Sequence, residues 1–238
     1  LLTYHGIRAK LVSYHQANER QQTGRLIQLL KGGSRIALVS DGGMPAISDP
    51  GYRLVREAIA AGVALEVIPG PSAILSALVA SGLPTARFSF EGFLPRGSGE
   101  KARRLEAVSR DDRTLIFFES PSRVRATLQA IHTMLGDRPM ALARELTKVH
   151  EEVLRGSVSQ LIDEVPDEVL GEVVLVVEGS REEADELASA VTFARRLIDD
   201  GMTKSKAAAQ AASRFNASRR SVYEQLLPQP EENGSQAG

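Results

Sequence analysis

The chain has 238 residues, 42% hydrophobic and 25% charged, the make-up of an ordinary globular protein with room for one large domain or two small ones. Its formal net charge of -1 excludes a global field drawing it to nucleic acid or an acidic membrane, so any such binding rests on local patches. The absence of cysteine excludes a disulfide scaffold and thiolate chemistry and fits a cytoplasmic protein, and no apolar run approaches the roughly 20 residues of a membrane helix.

The opening LLTYHGI reads as the end of a helix already under way, which raises the expectation of a missing beginning. Residues 35–40 (RIALVS) read as a strand, and Asp49 as the cap of a helix over 50–61 that Gly62 stops. A second strand is expected at VALEVIPG, then a helix of small residues, SAILSALVASG, opened by Pro71 and ended by Gly82. A strand at 88–93, a helix over about 100–110, the buried strand TLIFFES and a helix from Ser120 or Ser122 to Gly136 continue the alternation. That alternation is α/β. Beyond Gly136 come MALARELT, HEEVLRG, the short helix SVSQLIDEV and the strongly β-forming EVVLVVEG, whose close spacing predicts a mixed sheet. The organisation expected is an N-terminal α/β domain over 1–92, a second α/β domain over 93–180, a linker over 181–186, small basic helices within 187–227 and a disordered tail over 228–238.

The loop SDGGMPAISDPGY, directly after the first apolar run, holds more glycine, proline and aspartate than a plain connection needs. A glycine pair at the carboxyl end of a sheet strand lets main-chain groups approach a ligand. Neither the Walker A pattern nor the dinucleotide fingerprint GxGxxG occurs, so phosphate is not indicated by motif, and DGG alone reads equally well as a structural turn.

The ordered set VSDGGMPAISDPGY, VIPGPSA, EGFLPR, LIFFES, ARELTK and GEVVLVVEG resembles the tetrapyrrole methylase superfamily, and within it the branch that modifies ribosomal RNA. Each string is weak alone; the order is specific, and it runs from Leu1 to about Leu227. The resemblance implies two α/β domains with S-adenosylmethionine in the cleft between them, and a homodimer. It places Gly42, Gly43, Met44 and Ile47 against the cofactor, with Ser72, Ala73, Glu119 and Leu146 at the other contact positions. On residue type alone Ile47 and Leu146 read as core, Ser72 as a helix-start hydrogen bond and Glu119 as a solvated strand end. The family's opening strand and Pro-x-Gly-Asn loop do not precede Leu1, and truncation or disorder is the expectation.

The reaction implied is transfer of a methyl group to the 2'-hydroxyl of a cytidine ribose in 16S ribosomal RNA of the 30S subunit. Such a transfer depends on alignment, and the hydroxyl must lose a proton to a group that takes it or stabilises the charge left behind. In RELTKVHEE, Lys148 is assigned to the 2'-oxygen, with Arg144 or His150 toward a phosphate; the plainer reading is an exposed basic strand end. RNA contacts are expected at LPRGSGEKARR, through Arg96, Lys101, Arg103 and Arg104. A second set lies in the C-terminal helices, where Lys204, Lys206, Arg214, Arg219, Arg220 and Tyr223 flank a helix-turn-helix-like FNAS turn. The four histidines lack paired ligand spacing, so no metal is expected. Two other readings stand beside this one: methylation of a small tetrapyrrole, and RNA binding without catalysis.

Overall fold

The computed structural model describes residues 2–166 and 168–227. In chain order its elements are α1 (Glu19–Lys31), α2 (Tyr52–Ala60), α3 (Ala73–Ser81), β1 (Phe88–Phe93), α4 (Ser98–Ala107) and β2 (Thr114–Glu119). A 3-10 turn (Pro121–Arg123) leads into α5 (Val124–Leu135), then β3 (Pro139–Arg144), β4 (Glu152–Ser157), α6 (Val158–Glu164), β5 (Val173–Val177), α7 (Glu182–Asp199), α8 (Lys204–Arg214) and α9 (Arg219–Gln225).

The expected mixed sheet forms, in the order β1-β2-β5-β3-β4. β1 and β2 run parallel because α4 carries the chain back across the sheet between them, while the other three pairings are antiparallel. Near-continuous apolar runs mark strands buried on both faces, and every residue of β5 is buried. On one face α4, α5 and α6 set Leu105, Leu128, Ile131 and Leu161 against Leu115, Phe117, Leu142 and Leu175. On the other, Ala77 and Leu78 of α3 pack on Ile116, Ala143, Val174 and Val176. The small residues of α3 let its backbone lie close to the strands, and Arg155 Nε donates to the Ala80 carbonyl at 2.8 Å, tying β4 to the end of that helix.

Local signals explain several boundaries. Ser157 and Gln160 cap α6 reciprocally, Ser157 Oγ accepting from Gln160 N at 3.3 Å and Gln160 Oε1 from Ser157 N at 2.8 Å. Gly82 ends α3 at φ 73°, the left-handed conformation that a β-carbon disfavours.

The structure corrects three expectations. Residues 35–40 and 63–70 are extended but join no ladder: a strand is a pairing, and β propensity supplies only half of it. Asp49 is not the cap of α2; Gly51 is, at φ 142°, where an added β-carbon would come within 2.7 Å of Leu38 Cδ2. Residues 181–186 are not a linker, since α7 begins at Glu182, as good helix formers such as Glu and Ala allow. The expected tail over 228–238 lies outside the described residues. Helices α7, α8 and α9 pack chiefly on one another around Ala190, Ala194, Ala207, Ala208, Ala211 and Val222, a cluster distinct from those of the sheet. Among the described residues no helix is long and apolar enough to cross a membrane.

Candidate functional site

The glycine-rich loop, the start of α3 and the turn after β3 converge. Gly43, at φ 77°, lies against the Pro71 carbonyl, 3.7 Å from where its β-carbon would be. Ser72 caps α3, its Oγ accepting from Leu75 N at 3.4 Å, so the helix-start reading of Ser72 is met and Ala73 follows as the exposed first helical residue. Leu146 and, from α3, Ile74 both pack against the buried cluster on that face of the sheet. Ser40 Oγ donates to the Gly43 carbonyl at 3.0 Å and closes the loop on itself.

Two apolar side chains stand out by their backbone. Ile47 sits between Ala46 and Ser48, at φ 69° and 57°; Leu146 sits between Glu145 and Thr147, at φ 50° and 67°. Non-glycine residues rarely adopt positive φ, and least of all when β-branched like Thr147. Such conformations persist where the surroundings over-determine them, and they gather at ligand sites. Ile47 remains 46% exposed, presented to solvent instead of sunk in a core.

Around Leu146 the holding groups are explicit. The Glu145 main chain donates to the Glu172 carbonyl at 3.0 Å, and Glu145 Oε1 accepts from Glu172 N at 2.9 Å and from Lys148 Nζ at 2.8 Å. Thr147 N donates to Glu151 Oε2 at 2.6 Å. Gly171, at φ 88°, leaves room for this: a β-carbon there would lie 2.3 Å from Glu145 Oε1. The Lys148 ammonium and the Glu172 amide hold the Glu145 carboxyl below its ordinary range, and the paired Glu145 and Glu172 carboxylates push the Lys148 ammonium above its own. Lys148 is therefore a cation at neutral pH. As a cation it is suited to stabilising an oxyanion. Arg144, Glu145, His150, Leu170 and Gly171 line a recess of about 260 Å³ beside it. Arg144 Nε is engaged by Glu152 at 2.6 Å, while His150 is exposed.

Two predicted contacts are placed elsewhere. Glu119 shares the pleat face of Leu115 and Phe117, away from α3, and its side chain is fully buried. Its Oε1 accepts from Ser120 N at 2.7 Å and pairs with Arg123, and its Oε2 accepts from Thr127 Oγ1 at 2.6 Å. Lys101, expected on RNA, is 7% exposed and donates from Nζ to the same Thr127 hydroxyl at 2.8 Å. It lies on the inward face of α4 with Leu105, so its charge serves the Glu119 cluster and is withheld from any RNA backbone. Ser98 and Gly99 are helical, so Arg103 and Arg104 project from α4 and not from a loop, and Arg104 pairs with Glu91 at 2.6 Å. Arg96 is exposed just beyond β1.

In the C-terminal helices Arg219 NH2 donates to Ser205 Oγ at 3.0 Å across the α8–α9 junction, and Arg220 pairs with Glu224 at 2.7 Å. Arg214 is used inside the unit, its guanidinium 4.7 Å from the Phe193 ring centre.

The donor set suits a sulfonium cofactor with nucleoside and amino-acid ends. Among the described residues the main chains of 35–42 and 64–71 make no main-chain hydrogen bond. Gly42 has no atom within 4 Å of its missing β-carbon, and Met44, Ile47 and Leu146 offer apolar surface beside it. Sequence reasoning missed Glu145, Glu151 and Gly171 as the groups that shape the turn; a glycine two residues before the apolar strand β5 was the one available signal.

A profile of the Tetrapyrrole (Corrin/Porphyrin) Methylases matches residues 4–162. A Mesorhizobium japonicum protein named "Ribosomal RNA small subunit methyltransferase I" is 42% identical over all of this chain and 82% of its own length. Relatives of the same name from Thermotoga maritima and Bacillus subtilis are 43% and 42% identical, covering 75% and 92% of this chain and 81% and 77% of theirs. Among solved structures, diphthine synthase aligns at TM-score 0.57 with 18% identity over 74% of this chain and 72% of its own. The methyltransferase CobJ aligns at TM-score 0.51 with 19% identity over 68% and 72%. These two likenesses concern the fold.

Proposed function

Because the chain belongs to the tetrapyrrole methylase family, we propose that it transfers a methyl group from S-adenosylmethionine to the 2'-hydroxyl of a cytidine ribose in 16S ribosomal RNA. The observation that carries this reading is the likeness, at 42% identity over the whole chain, to a protein named for methylating small-subunit ribosomal RNA. The acceptor is the RNA within the 30S subunit, and the enzyme works in the cytoplasm as a homodimer.

Gly42, Gly43, Met44, Ile47, Ser72, Ala73 and Leu146 hold the cofactor, through main-chain groups and the presented Ile47 and Leu146 side chains. S-adenosylmethionine supplies a methyl carbon on a positively charged sulfur, which needs no metal and no acid. The chain's own work is alignment. Lys148, kept cationic and aimed by Glu145 and Glu172, meets the ribose 2'-oxygen and stabilises the charge that builds there as the hydroxyl proton passes to water. His150, on the rim of the adjoining recess, meets the neighbouring phosphate, with Arg144 behind it. Arg96 and Arg104 extend the path for the RNA backbone along the start of α4.

Purified protein, tritiated S-adenosylmethionine and 30S subunits test the reading. The wild type labels 16S RNA, whereas Lys148→Ala abolishes labelling and leaves cofactor affinity, by calorimetry, almost unchanged. Unaltered turnover in Lys148→Ala removes Lys148 from the mechanism, and no label in any RNA removes the function.

A further inference from the structure

The α7–α9 unit has a face that its own packing does not use. Ser205, Arg219, Arg220, Tyr223 and Glu224 surround an open recess of about 490 Å³ at the α8–α9 junction, large enough for a nucleotide. Tyr223 is 39% exposed, and its phenol makes no hydrogen bond among the described residues. Arg219 is held at the mouth by the hydrogen bond from its NH2 to Ser205 Oγ, so its fork is oriented before any ligand arrives. Arg220 is 87% exposed and its Glu224 partner 56%, an ion pair of the kind that exchanges readily for another anion. Lys204 and Lys206 are exposed on the first turn of α8, so cations outnumber carboxylates on this side.

Which nucleic acid fits follows from shape. A helix pair reads duplex DNA by laying its second helix in a wide major groove. The major groove of an RNA duplex is too deep and narrow for that, and sequence-specific RNA recognition uses unpaired bases stacked on aromatic or guanidinium planes. With seven residues, α9 is roughly 10 Å long, short for groove reading. An aromatic ring, an oriented guanidinium beside it and a nucleotide-sized opening are the parts of a single-strand site.

We propose that the α8–α9 recess binds one unpaired nucleotide of the RNA substrate, its base stacked on Tyr223 and its phosphate on Arg219, with Arg220 released from Glu224 to a flanking phosphate. This rests on the RNA reading above but not on catalysis. The site anchors a single-stranded stretch beside the target, so that affinity comes from the helical unit and chemistry from the Lys148 turn.

The full chain is titrated by fluorescence anisotropy with a labelled oligoribonucleotide of about 12 nucleotides, with its RNA duplex and with a DNA duplex of the same sequence. The single strand binds tightest. Tyr223→Leu weakens it roughly tenfold or more, Tyr223→Phe restores it, and Arg219→Gln lowers the slope of log K against log salt by about 0.7, the value for one phosphate contact on a single strand. Circular dichroism and Tyr223→Phe guard against a folding defect. Equal or tighter duplex binding, no binding to any probe, or single-strand affinity untouched in Tyr223→Leu and Arg219→Gln each overturns the proposal. If the single-strand pattern holds while wild-type protein transfers no methyl group to RNA, the catalytic reading fails and this one stands.

Discussion

The buried cluster under α4 and α5 decides what Glu119 is for. Two cations, Lys101 and Arg123, share one carboxylate whose side chain is fully enclosed, with Thr127 relaying between Lys101 and Glu119. Glu119→Ala removes the anion and leaves both cations and the Ser120 amide without it. Breaking a buried pair by deleting one partner costs about 3–5 kcal/mol. The Arg123 side chain is 21% exposed and recovers some hydration, so the lower end, about 3 kcal/mol, applies. Glu119→Gln keeps an acceptor and loses the charge, costing about 1–2 kcal/mol. Urea unfolding measures both, provided the slopes agree with wild type. Calorimetry on folded Glu119→Gln then separates the roles. A cofactor contact loses about tenfold or more in S-adenosylmethionine affinity, whereas a carboxylate turned to the other sheet face leaves it unaltered. Destabilisation of Glu119→Ala below about 1 kcal/mol, or a collapse of cofactor affinity in stable Glu119→Gln, refutes the placement argued here.

Gly171→Ala combines a φ of 88° with a β-carbon 2.3 Å from Glu145, while Gly201→Ala meets a similar φ, 92°, with no atom within 4 Å. Gly201→Ala therefore costs about 1 kcal/mol and leaves methylation alone; Gly171→Ala displaces the Glu145 carboxylate, costs more by denaturant midpoint and lowers turnover. Equal behaviour of the two variants rejects the lock on the 145–148 turn. The same lock sets a pH window. The Glu145 carboxyl lies below its ordinary 4.5 in the folded chain, so its contribution is complete above 4.5 and is lost as pH falls through the lower folded value. Lys148 is raised above 10.5, so its contribution is complete below 10.5 and is lost as pH climbs through the higher folded value. The Glu172 amide resonance should titrate with a midpoint under 4.5 and stop doing so in Glu145→Gln; a midpoint at or above 4.5 contradicts the pairing.

The sheet half of the molecule was legible because its signals are local. Phe88–Phe93 and Thr114–Glu119 are bounded by turn residues and joined by an amphipathic helix, and the Ser157/Gln160 cap is written in four consecutive residues. Residues 35–40 have the same texture, yet no chain property encodes whether a neighbour is there to pair with. Side-chain direction was partly readable. Lys101 lies four residues before Leu105 on α4, and Glu119 two residues after Phe117 on β2, so helical and pleat periods put both on core faces once that core is known. The backbone of the site was not readable, since Ala46, Ser48, Glu145 and Thr147 adopt positive φ without glycine to announce it. Their arrangement nevertheless carries meaning. In two turns remote in sequence, one apolar residue is held between two left-handed neighbours, and both turns border the start of α3. Local propensity opposes each of the four conformations, so the rest of the fold must enforce them. Glu145 and Glu151 do so on one side; Gly51, packed against Ala46, does so on the other, where a β-carbon would lie 3.2 Å from the Ala46 side chain. A surface loop serving only as a connection has no reason to store that strain twice, and the pattern is the one expected of the proposed pocket, in which Ile47 and Leu146 are held at fixed angles toward a ligand.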